Sequence, residues 1–260
     1  MCLFDAFTEN EDSIKLFYDM DQKGILDLYY QGSVHVPIPE KIDEAINTVR
    51  VWQKKYTSEH VHINTIKLFV DGTNEMGDCC SLRPFSNDPA ETNKGAVYLS
   101  EEQLQSIMVK LNNEGIDLHL HVICDGAFRL VLNALERAQS ICGDAWNIHV
   151  TAAHCELIDP VITLDPEKYP GSVRPPETAR LTLEELLRGY TINNAVRMRL
   201  QDKMGSLEKS KLANFMILNK DIFTVPAAEI SSVTAECTYF EGKERRMKST
   251  LSVGRESEHW

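Results

Sequence analysis

Two histidines stand two residues apart in the apolar run Asp117-Leu-His-Leu-His-Val-Ile-Cys-Asp-Gly-Ala-Phe128. Side chains of a strand alternate between its two faces, so His119 and His121 are predicted to point the same way. Two imidazoles on one face could bind a divalent metal, because histidine is the commonest metal ligand. Equally, both could be partly buried histidines that form hydrogen bonds within a sheet. The surrounding sequence has to decide between these two interpretations.

Other side chains with metal-binding or acid-base chemistry lie on, or just after, further strand-like segments. Lys67 lies within the β-branched and aromatic run Thr65-Ile-Lys-Leu-Phe-Val-Asp-Gly72, and His154 lies near the end of a later run. Asp71 and Asp125 each follow a predicted strand. In parallel α/β folds, functional residues collect at the carboxyl ends of the strands. The distribution therefore favours one site built from several strands.

Helix-like and strand-like segments alternate over residues 13–155. Apolar spacing and turn residues predict helices over residues 13–23, 40–55, 99–113 and 127–140, and strands over residues 25–30, 65–72, 118–123 and 146–155. Ser100 is a candidate cap for the third helix, with Gln103 in its first turn. This alternation is typical of parallel βαβ units.

The character of the sequence changes after residue 160. A proline-rich connector leads into a capped helix, and two short strand candidates follow, over residues 213–218 and 232–240. We predict two parts on this basis. Residues 1–204 form a barrel-like part, and residues 205–260 form a small β element with a tail.

The charge balance excludes one class of partner. The 260 residues include 27 basic and 39 acidic side chains, a formal charge of -12, which repels phosphate backbones, so we expect no nucleic acid partner. No apolar run approaches the roughly 18 residues that a membrane helix needs, and the first residues do not resemble a signal peptide. We expect a cytoplasmic protein with no membrane partner. Its seven cysteines lack metal-type spacing and are expected to be reduced thiols.

Five blocks of sequence together resemble one known family. The blocks are Ile66-Lys-Leu-Phe-Val-Asp-Gly72, His121-Val-Ile-Cys-Asp-Gly-Ala127, Ala153-His-Cys-Glu-Leu-Ile-Asp159, Leu183-Glu-Glu-Leu-Leu-Arg-Gly-Tyr-Thr191 and Leu212-Ala-Asn-Phe-Met-Ile-Leu-Asn219. The family they resemble is amidohydrolase family 3, in the branch that contains N-substituted-formamide deformylases. The blocks occur in the order of that family and span most of residues 13–245.

The resemblance implies a TIM-type (β/α)8 barrel of the metallo-dependent hydrolase kind, joined to a small β domain. Lys67 matches the lysine of barrel strand four, which carboxylation turns into an anionic metal ligand. His121 and His154 match the metal ligands of strands five and six. A divalent metal, usually zinc, then polarises the scissile carbonyl and lowers the pKa of bound water. On the residues alone, Lys67 would more often be an ordinary lysine that extends its charge to solvent.

Other polar residues receive roles from the same resemblance. Asp71 and Asp125 are predicted to bind substrate, although Asp125 could equally orient a histidine or cap the following helix. Asp159 is predicted to be catalytic, either as the end of the strand-six motif or as a remnant of the strand-eight aspartate. His119 is predicted to pack in the core beside His121.

Two features depart from the family pattern. The chain is expected to open at the helix before barrel strand three, without the His-x-His ligands of strand one. The segment that should carry strand seven and the Ser-Asp of strand eight is missing after Asp159. With strands one, two and seven missing, a barrel cannot close, and its open edges expose hydrogen-bonding groups. We therefore predict an incomplete (β/α)8 barrel with a small C-terminal β element.

The sequence supports two hypotheses about function. The first is a metal-dependent hydrolase that cleaves a non-peptide C–N bond, such as an amide or formamide, in a small-molecule substrate. The missing ligand segments would impair its metal binding and its turnover. The second is a catalytically inactive amidohydrolase remnant that binds a small molecule or a protein. In either case a homo-oligomer could cover the open sheet.

Overall fold

The computed structural model describes residues 2–8, 10–85, 88–90, 92–155 and 181–245. The chain divides into two compact units, Met1–Leu181 and Thr182–Trp260. The predicted boundary between residues 204 and 205 therefore falls inside the second unit. No helix in the described ranges has the length and hydropathy needed to cross a bilayer.

Five parallel strands form the sheet of the first unit, and their spatial order is their order along the chain. They are β1 (Cys2–Thr8), β2 (Tyr29–His35), β3 (Val61–Phe69), β4 (Asp117–Val122) and β5 (Val150–His154). Each strand pairs in parallel with the next. Sequential parallel strands with helical connections are the arrangement of a (β/α) barrel, so the predicted incomplete TIM-type barrel is confirmed.

Four helices connect these strands: α1 (Glu11–Gln22), α2 (Ile42–Tyr56), α3 (Glu101–Glu114) and α4 (Asp125–Cys142). The predicted cap of α3 is confirmed. The Ser100 side chain accepts the Gln103 N–H, and the Gln103 side chain accepts the Ser100 N–H, which is a capping box. The helix stops at Gly115, whose φ of 63° suits a residue without a Cβ.

The structure corrects the predicted N-terminal part of the sheet. β1 precedes α1, so the prediction that the chain opens at the helix before the third barrel strand, with the second strand missing, is wrong. β2 starts at Tyr29 rather than at residue 25, because Gly24 ends α1 in a left-handed conformation and a loop follows. β2 then continues through the buried Gln31 and Ser33. An apolar pattern does not detect such a strand, because polar side chains line its inner face.

The sheet curls around a shared interior. Phe4 lies on β1 and His119 on β4, with two strands between them in the sheet. Their ring centroids are nevertheless 4.8 Å apart. A flat sheet could not bring these two strands into contact, whereas the twist and coiling of a barrel sheet do so.

The two faces of this sheet differ in polarity. One face packs against the helices in the apolar core, through alternate residues of β3 and β4 and the residue after β3: Ile66, Leu68, Val70, Leu118, Leu120 and Val122. The residues between them point into the interior, and three of these are polar and buried: Lys67, His119 and His121. The apolar face supplies the hydrophobic stabilisation, and the polar face holds the residues able to do chemistry.

The second unit contains a small antiparallel sheet, as predicted for the C-terminal part. Its strands are β6 (Phe215–Leu218), β7 (Ala235–Phe240) and β8 (Lys243–Arg245), paired in that order. Two short helices precede them, α5 (Leu183–Arg188) and α6 (Asn194–Arg197). The start of α5 has a capping box between Thr182 and Glu185, which agrees with the predicted capped helix.

Candidate metal centre

Lys67 is a buried lysine on the inner face of β3. It is 2% exposed, and no group in the described part of the chain forms a hydrogen bond with its Nζ. The centroid of the Phe69 ring lies 5.3 Å from Nζ, a distance typical of a cation–π contact. Burial lowers the pKa of Lys67 to about 8, because desolvation penalises the ammonium form. A substantial share of neutral amine is therefore present slightly above neutral pH.

His121 is held in one orientation at the end of β4. Its Nε2 lies 2.9 Å from the carbonyl oxygen of Gly72. A carbonyl can only accept a hydrogen bond, so Nε2 carries a proton, and in the neutral ring Nδ1 keeps its lone pair. The ring also stacks on Phe69, with centroids 4.5 Å apart. His121 is thus fixed in the tautomer in which Nδ1 can bind a metal.

His154 reaches the same place through an unusual backbone conformation. It is the last residue of β5 and pairs in register with Val122, which faces the helices. A regular strand would turn the His154 side chain that way. Its φ is 76°, however, and the His154 and His121 ring centroids are 4.6 Å apart. Left-handed backbone costs a non-glycine residue about 1 kcal/mol or more and is concentrated at functional sites.

The structure therefore brings two of the three predicted metal ligands into contact and places the third nearby. The His121 and His154 imidazoles touch, and Phe69 contacts both His121 and Lys67. His121 is buried, whereas His154 is exposed to solvent. One side of this cluster is therefore accessible from outside. His119 lies one inward-facing position earlier on β4, opposite Lys67 in the register.

Asp71 connects the segments that surround this cluster. The residue is fully buried, and its carboxylate accepts the backbone N–H groups of Cys80, Ile123 and Cys124 at 3.1, 2.9 and 3.1 Å. These donors belong to the loop after β3 and to the turn between β4 and α4. Asp71 was predicted to bind substrate, and that role stays a prediction. Its observed contacts hold the backbone around His121.

Replacing Asp71 with asparagine is expected to destabilise the fold by about 2 kcal/mol. The neutral amide offers one acceptor oxygen, and its NH2 group would face a backbone donor, leaving buried N–H groups without an acceptor. Urea denaturation measures the change. Asp88→Asn is a matched control, because Asp88 also accepts three backbone N–H groups, from Ala90, Thr92 and Asn93, but in an exposed turn. If both substitutions lower the free energy of unfolding equally, burial of the Asp71 carboxylate adds nothing to its contribution to stability, and the prediction is wrong.

Two other predicted residues have different outcomes. Asp125 is the first residue of α4, and its Oδ1 accepts the N–H of Leu82 at 2.9 Å. It therefore holds the loop after β3 against the helix, while its predicted substrate contact stays a prediction. The cap position itself is taken by Cys124. Asp159 lies outside the described residues.

Two contributors to the cluster lie outside the predicted set. Phe69 contacts both Lys67 and His121, and its spacing of two residues from Lys67 was the signal that both share a face. Gly72 provides the carbonyl that fixes His121, and the Asp-Gly turn signal marked its position. A Cβ at Gly72 would lie 2.0 Å from the Asp78 carboxylate. A side chain at this position would displace the Asp78 carboxylate, which accepts the Thr73 N–H.

The donor set of the cluster is small. Within the described residues, no third histidine, cysteine or carboxylate forms a compact group with His121 and His154 in which all ligand atoms lie within 4.8 Å of one another. Lys67 and His119 are further polar groups on the same inward face, and His35 lies beside Phe69, with ring centroids 5.6 Å apart. Among these groups, the predicted ligands are the imidazoles of His121 and His154 and the amine of Lys67.

A family model described as "Amidohydrolase family" matches residues 5–168 and 158–245. Among curated proteins, the chain is 27% identical over 122 residues to "Exoenzymes regulatory protein AepA" of Pectobacterium carotovorum subsp. carotovorum, covering 47% of the chain and 25% of that protein. It is 28% identical over 149 residues to "Putative amidohydrolase YtcJ" of Bacillus subtilis (strain 168), covering 51% of the chain and 27% of that protein. The matches thus cover about a quarter of each relative.

Solved structures resemble the fold. An uncharacterised metal-dependent hydrolase from Pyrococcus horikoshii OT3 matches with a TM-score of 0.58 and 19% identity, covering 86% of this chain and 56% of that one. A second such hydrolase, from Pyrococcus furiosus, matches with a TM-score of 0.52 and 17% identity, covering 81% of this chain and 54% of that one. At these identities the likeness is one of fold alone.

Proposed function

The chain belongs to the amidohydrolase family, and on that premise we propose that it is a metal-dependent hydrolase of a non-peptide C–N bond. The bond is that of an amide or an N-substituted formamide in a small-molecule substrate. His121, His154 and Lys67 would hold a divalent metal, zinc. The observation that carries the proposal is the contact between the two imidazoles at the carboxyl ends of β4 and β5, with centroids 4.6 Å apart.

The histidines fit a zinc ion in their chemistry. Zinc binds neutral imidazole nitrogen, and a ligating histidine usually donates its second N–H to a carbonyl or a carboxylate. The hydrogen bond from His121 Nε2 to the Gly72 carbonyl is of this kind. It leaves Nδ1 as the donor atom of His121. The exposure of His154 gives a metal ion and a substrate access to the cluster.

Lys67 fits as the source of an anionic ligand. Its buried Nζ lacks a hydrogen-bond partner among the described residues, which is costly for a polar group. The neutral amine, available because burial lowers the pKa to about 8, can add to carbon dioxide. The nitrogen lone pair forms an N–C bond, one C–O π pair becomes a carboxylate, and the amine proton leaves to solvent. The carbamate oxygen atoms could then bind the metal.

The tasks of the chain's own residues follow from their contacts. When bound, zinc would polarise the scissile carbonyl and lower the pKa of a coordinated water toward neutrality. Gly72 fixes the His121 ring through its carbonyl, and the left-handed backbone at His154 aims the second ring at the first. Asp71 holds the turn after β4. Asp159 is our candidate for the general base.

A second candidate function is that of an inactive family member that binds a small molecule or a protein. The small donor set favours it, since no carboxylate joins the two histidines within the described residues. A site with few ligands binds metal weakly, and without a general base turnover is slow.

We also propose that a second copy of the chain covers the outer strands β1 and β5 of the sheet. Light scattering after size-exclusion chromatography would then report a dimer, and a monomer at every concentration would contradict this.

Metal content and hydrolysis together test the proposed function. The chain is purified from zinc-supplemented medium, its zinc content is measured, and it is assayed with simple N-substituted formamides and N-acyl amines. We expect about one zinc per chain and a slow hydrolysis that a chelator abolishes and added zinc restores. Bound zinc without hydrolysis would favour the binding function. A chain that retains no zinc and hydrolyses nothing would contradict the proposal.

A further inference from the structure

Two thiols meet in the interior next to the proposed site. Cys79 lies in the loop after β3, and Cys124 lies at the cap position of α4. Both are buried, and their Sγ atoms are 3.0 Å apart. This separation is about 1 Å longer than a disulfide bond of about 2.05 Å. Ile123 and Phe85 pack around the pair.

The backbone on both sides of the pair is held by hydrogen bonds. Asp71 Oδ2 accepts the N–H groups of Cys80 and Cys124, and the Cys80 carbonyl accepts the N–H of Ala127. The loop and the start of α4 therefore share one acceptor and one direct hydrogen bond. These contacts keep the two sulfur atoms together whether or not they are bonded.

Two glycines allow this close approach. Gly126 lies against the loop, where a Cβ would be 2.7 Å from the Cys80 carbonyl oxygen. Gly95 has a φ of 74°, and a Cβ there would be 1.8 Å from the Cys79 carbonyl oxygen. Larger residues at either position would push the loop away from α4. The loop is thus packed so that Cys79 stays beside Cys124.

The reduced pair consists of two protonated thiols. Burial raises the pKa of Cys79 and, more strongly, that of Cys124, since a thiolate is poorly stabilised away from water. Two neutral thiols lack the charge repulsion that two thiolates would have at this distance. Oxidation of such a pair requires a local opening of the loop that lets one thiol lose its proton.

We infer that Cys79 and Cys124 form a reversible disulfide that locks the loop after β3 onto the start of α4. The oxidant is a small-molecule disulfide such as oxidised glutathione. One cysteine, as thiolate, attacks one sulfur of the glutathione disulfide and forms a mixed disulfide with that half, while the other half leaves as reduced glutathione. The second cysteine then attacks the protein sulfur of that bond and releases the second reduced glutathione. The two cysteines lose two electrons and two protons, and the glutathione disulfide gains them.

The lock acts on the segment that orients His121. The bond would tie together residues 45 positions apart in the chain. Asp78, the residue before Cys79, lies against Gly72, whose carbonyl accepts the His121 N–H. Cross-linking distant residues reduces the freedom of the unfolded chain and stabilises the fold. Oxidation is therefore expected to raise the melting temperature by about 5–15 °C. This inference does not depend on the proposed hydrolase activity.

Peptide mapping of the oxidised full-length chain tests the inference. The native chain is incubated with oxidised glutathione, quenched with acid, alkylated, digested and analysed by mass spectrometry. We expect a linked pair of peptides containing Cys79 and Cys124, lighter by two hydrogen masses, together with the rise in melting temperature. Cys80→Ser is the matched control. It removes the neighbouring thiol, which takes no part in the proposed disulfide, so the link between Cys79 and Cys124 should remain. Cys79→Ser and Cys124→Ser should lose both the link and the shift.

Other results would overturn the inference. These are a stable glutathione adduct on either cysteine, two thiols that remain alkylatable in the unfolded chain after oxidation, or a link that survives in Cys79→Ser. If the serine variants of Cys79 or Cys124 fail to fold, the peptide map of the wild type and of Cys80→Ser decides the question alone.

Discussion

Replacing Lys67 with methionine is expected to stabilise the metal-free protein by about 3 kcal/mol at pH 7, the free-energy equivalent of the lowered Lys67 pKa of about 8. Methionine fills a similar volume without a charge, so the folded state no longer bears the desolvation of an unpaired ammonium. A buried lysine that destabilises the folded state is typical of residues that serve function rather than stability.

The effect of Lys67→Met depends on pH in a defined direction. The ordinary lysine pKa of 10.5 holds for the unfolded chain, whereas that of the folded chain is about 8. Below pH 8 both states are protonated, and the folded state bears the full desolvation cost. As the pH rises from 8 to 10.5, the folded amine is neutral while the unfolded one stays charged, so the cost declines. The advantage of methionine should therefore be largest below pH 8 and vanish above pH 10.5.

Urea denaturation at pH 7, 9 and 10.5 in carbon dioxide-depleted, metal-free buffer measures this prediction. Lys54→Met is the control, because Lys54 is an exposed lysine on α2, and its substitution should change stability by less than about 0.5 kcal/mol. A Lys67→Met variant that is less stable than the wild type at pH 7 would contradict the prediction. So would an advantage that does not decrease with pH. The same variant should bind zinc poorly, since it lacks the nitrogen that forms a carbamate.

Replacing His121 with alanine is expected to lower zinc affinity by more than about 100-fold, the upper range seen for changes to groups that merely support a ligand. The metal site would lose the Nδ1 atom of His121 as a ligand. The remaining donors, His154 and Lys67, cannot complete a four-coordinate site. Competition with a chromophoric chelator measures the affinity. His154→Ala should have a similar effect.

The control for the His121 prediction is His149→Ala. His149 precedes β5, at the opposite end of the sheet from the cluster, and its backbone N–H donates to Asp117, a bond that the substitution leaves intact. Its zinc affinity should equal that of the wild type. If His121→Ala binds zinc as tightly as His149→Ala does, the metal lies somewhere other than the cluster.

Local signals predicted much of the first unit correctly. The helices α2, α3 and α4 have amphipathic spacing, and Ser100 and Gly115 mark the two ends of α3. The strands β3 and β4 are β-branched or apolar runs. β1 was missed. β2 was placed too early because a loop follows Gly24, and its second half was missed because Gln31 and Ser33 interrupt the apolar pattern on a face that is buried in this fold. Sequence periodicity cannot show that a polar face is an interior.

The site was harder to predict, because its geometry depends on contacts between distant segments. Period-two spacing placed His119 and His121 on one face and strand position singled out Lys67, but the role of Lys67 as a metal ligand came from the family resemblance alone. The side chain of His154 points to His121 only because its backbone is left-handed, which no residue pattern announces. The three hydrogen bonds of Asp71 join a loop and a turn more than forty residues apart. The Cys79–Cys124 contact likewise requires the folded chain.

The most direct measurement is an anomalous difference map from crystals grown with zinc, with data collected on both sides of the zinc absorption edge. We expect one strong peak between His121 Nδ1 and the His154 ring, at bond lengths of about 2.0–2.1 Å, and a carbamate on Lys67 Nζ that reaches toward it. An absence of any peak between the two imidazoles, with zinc bound elsewhere or not at all, would contradict this expectation.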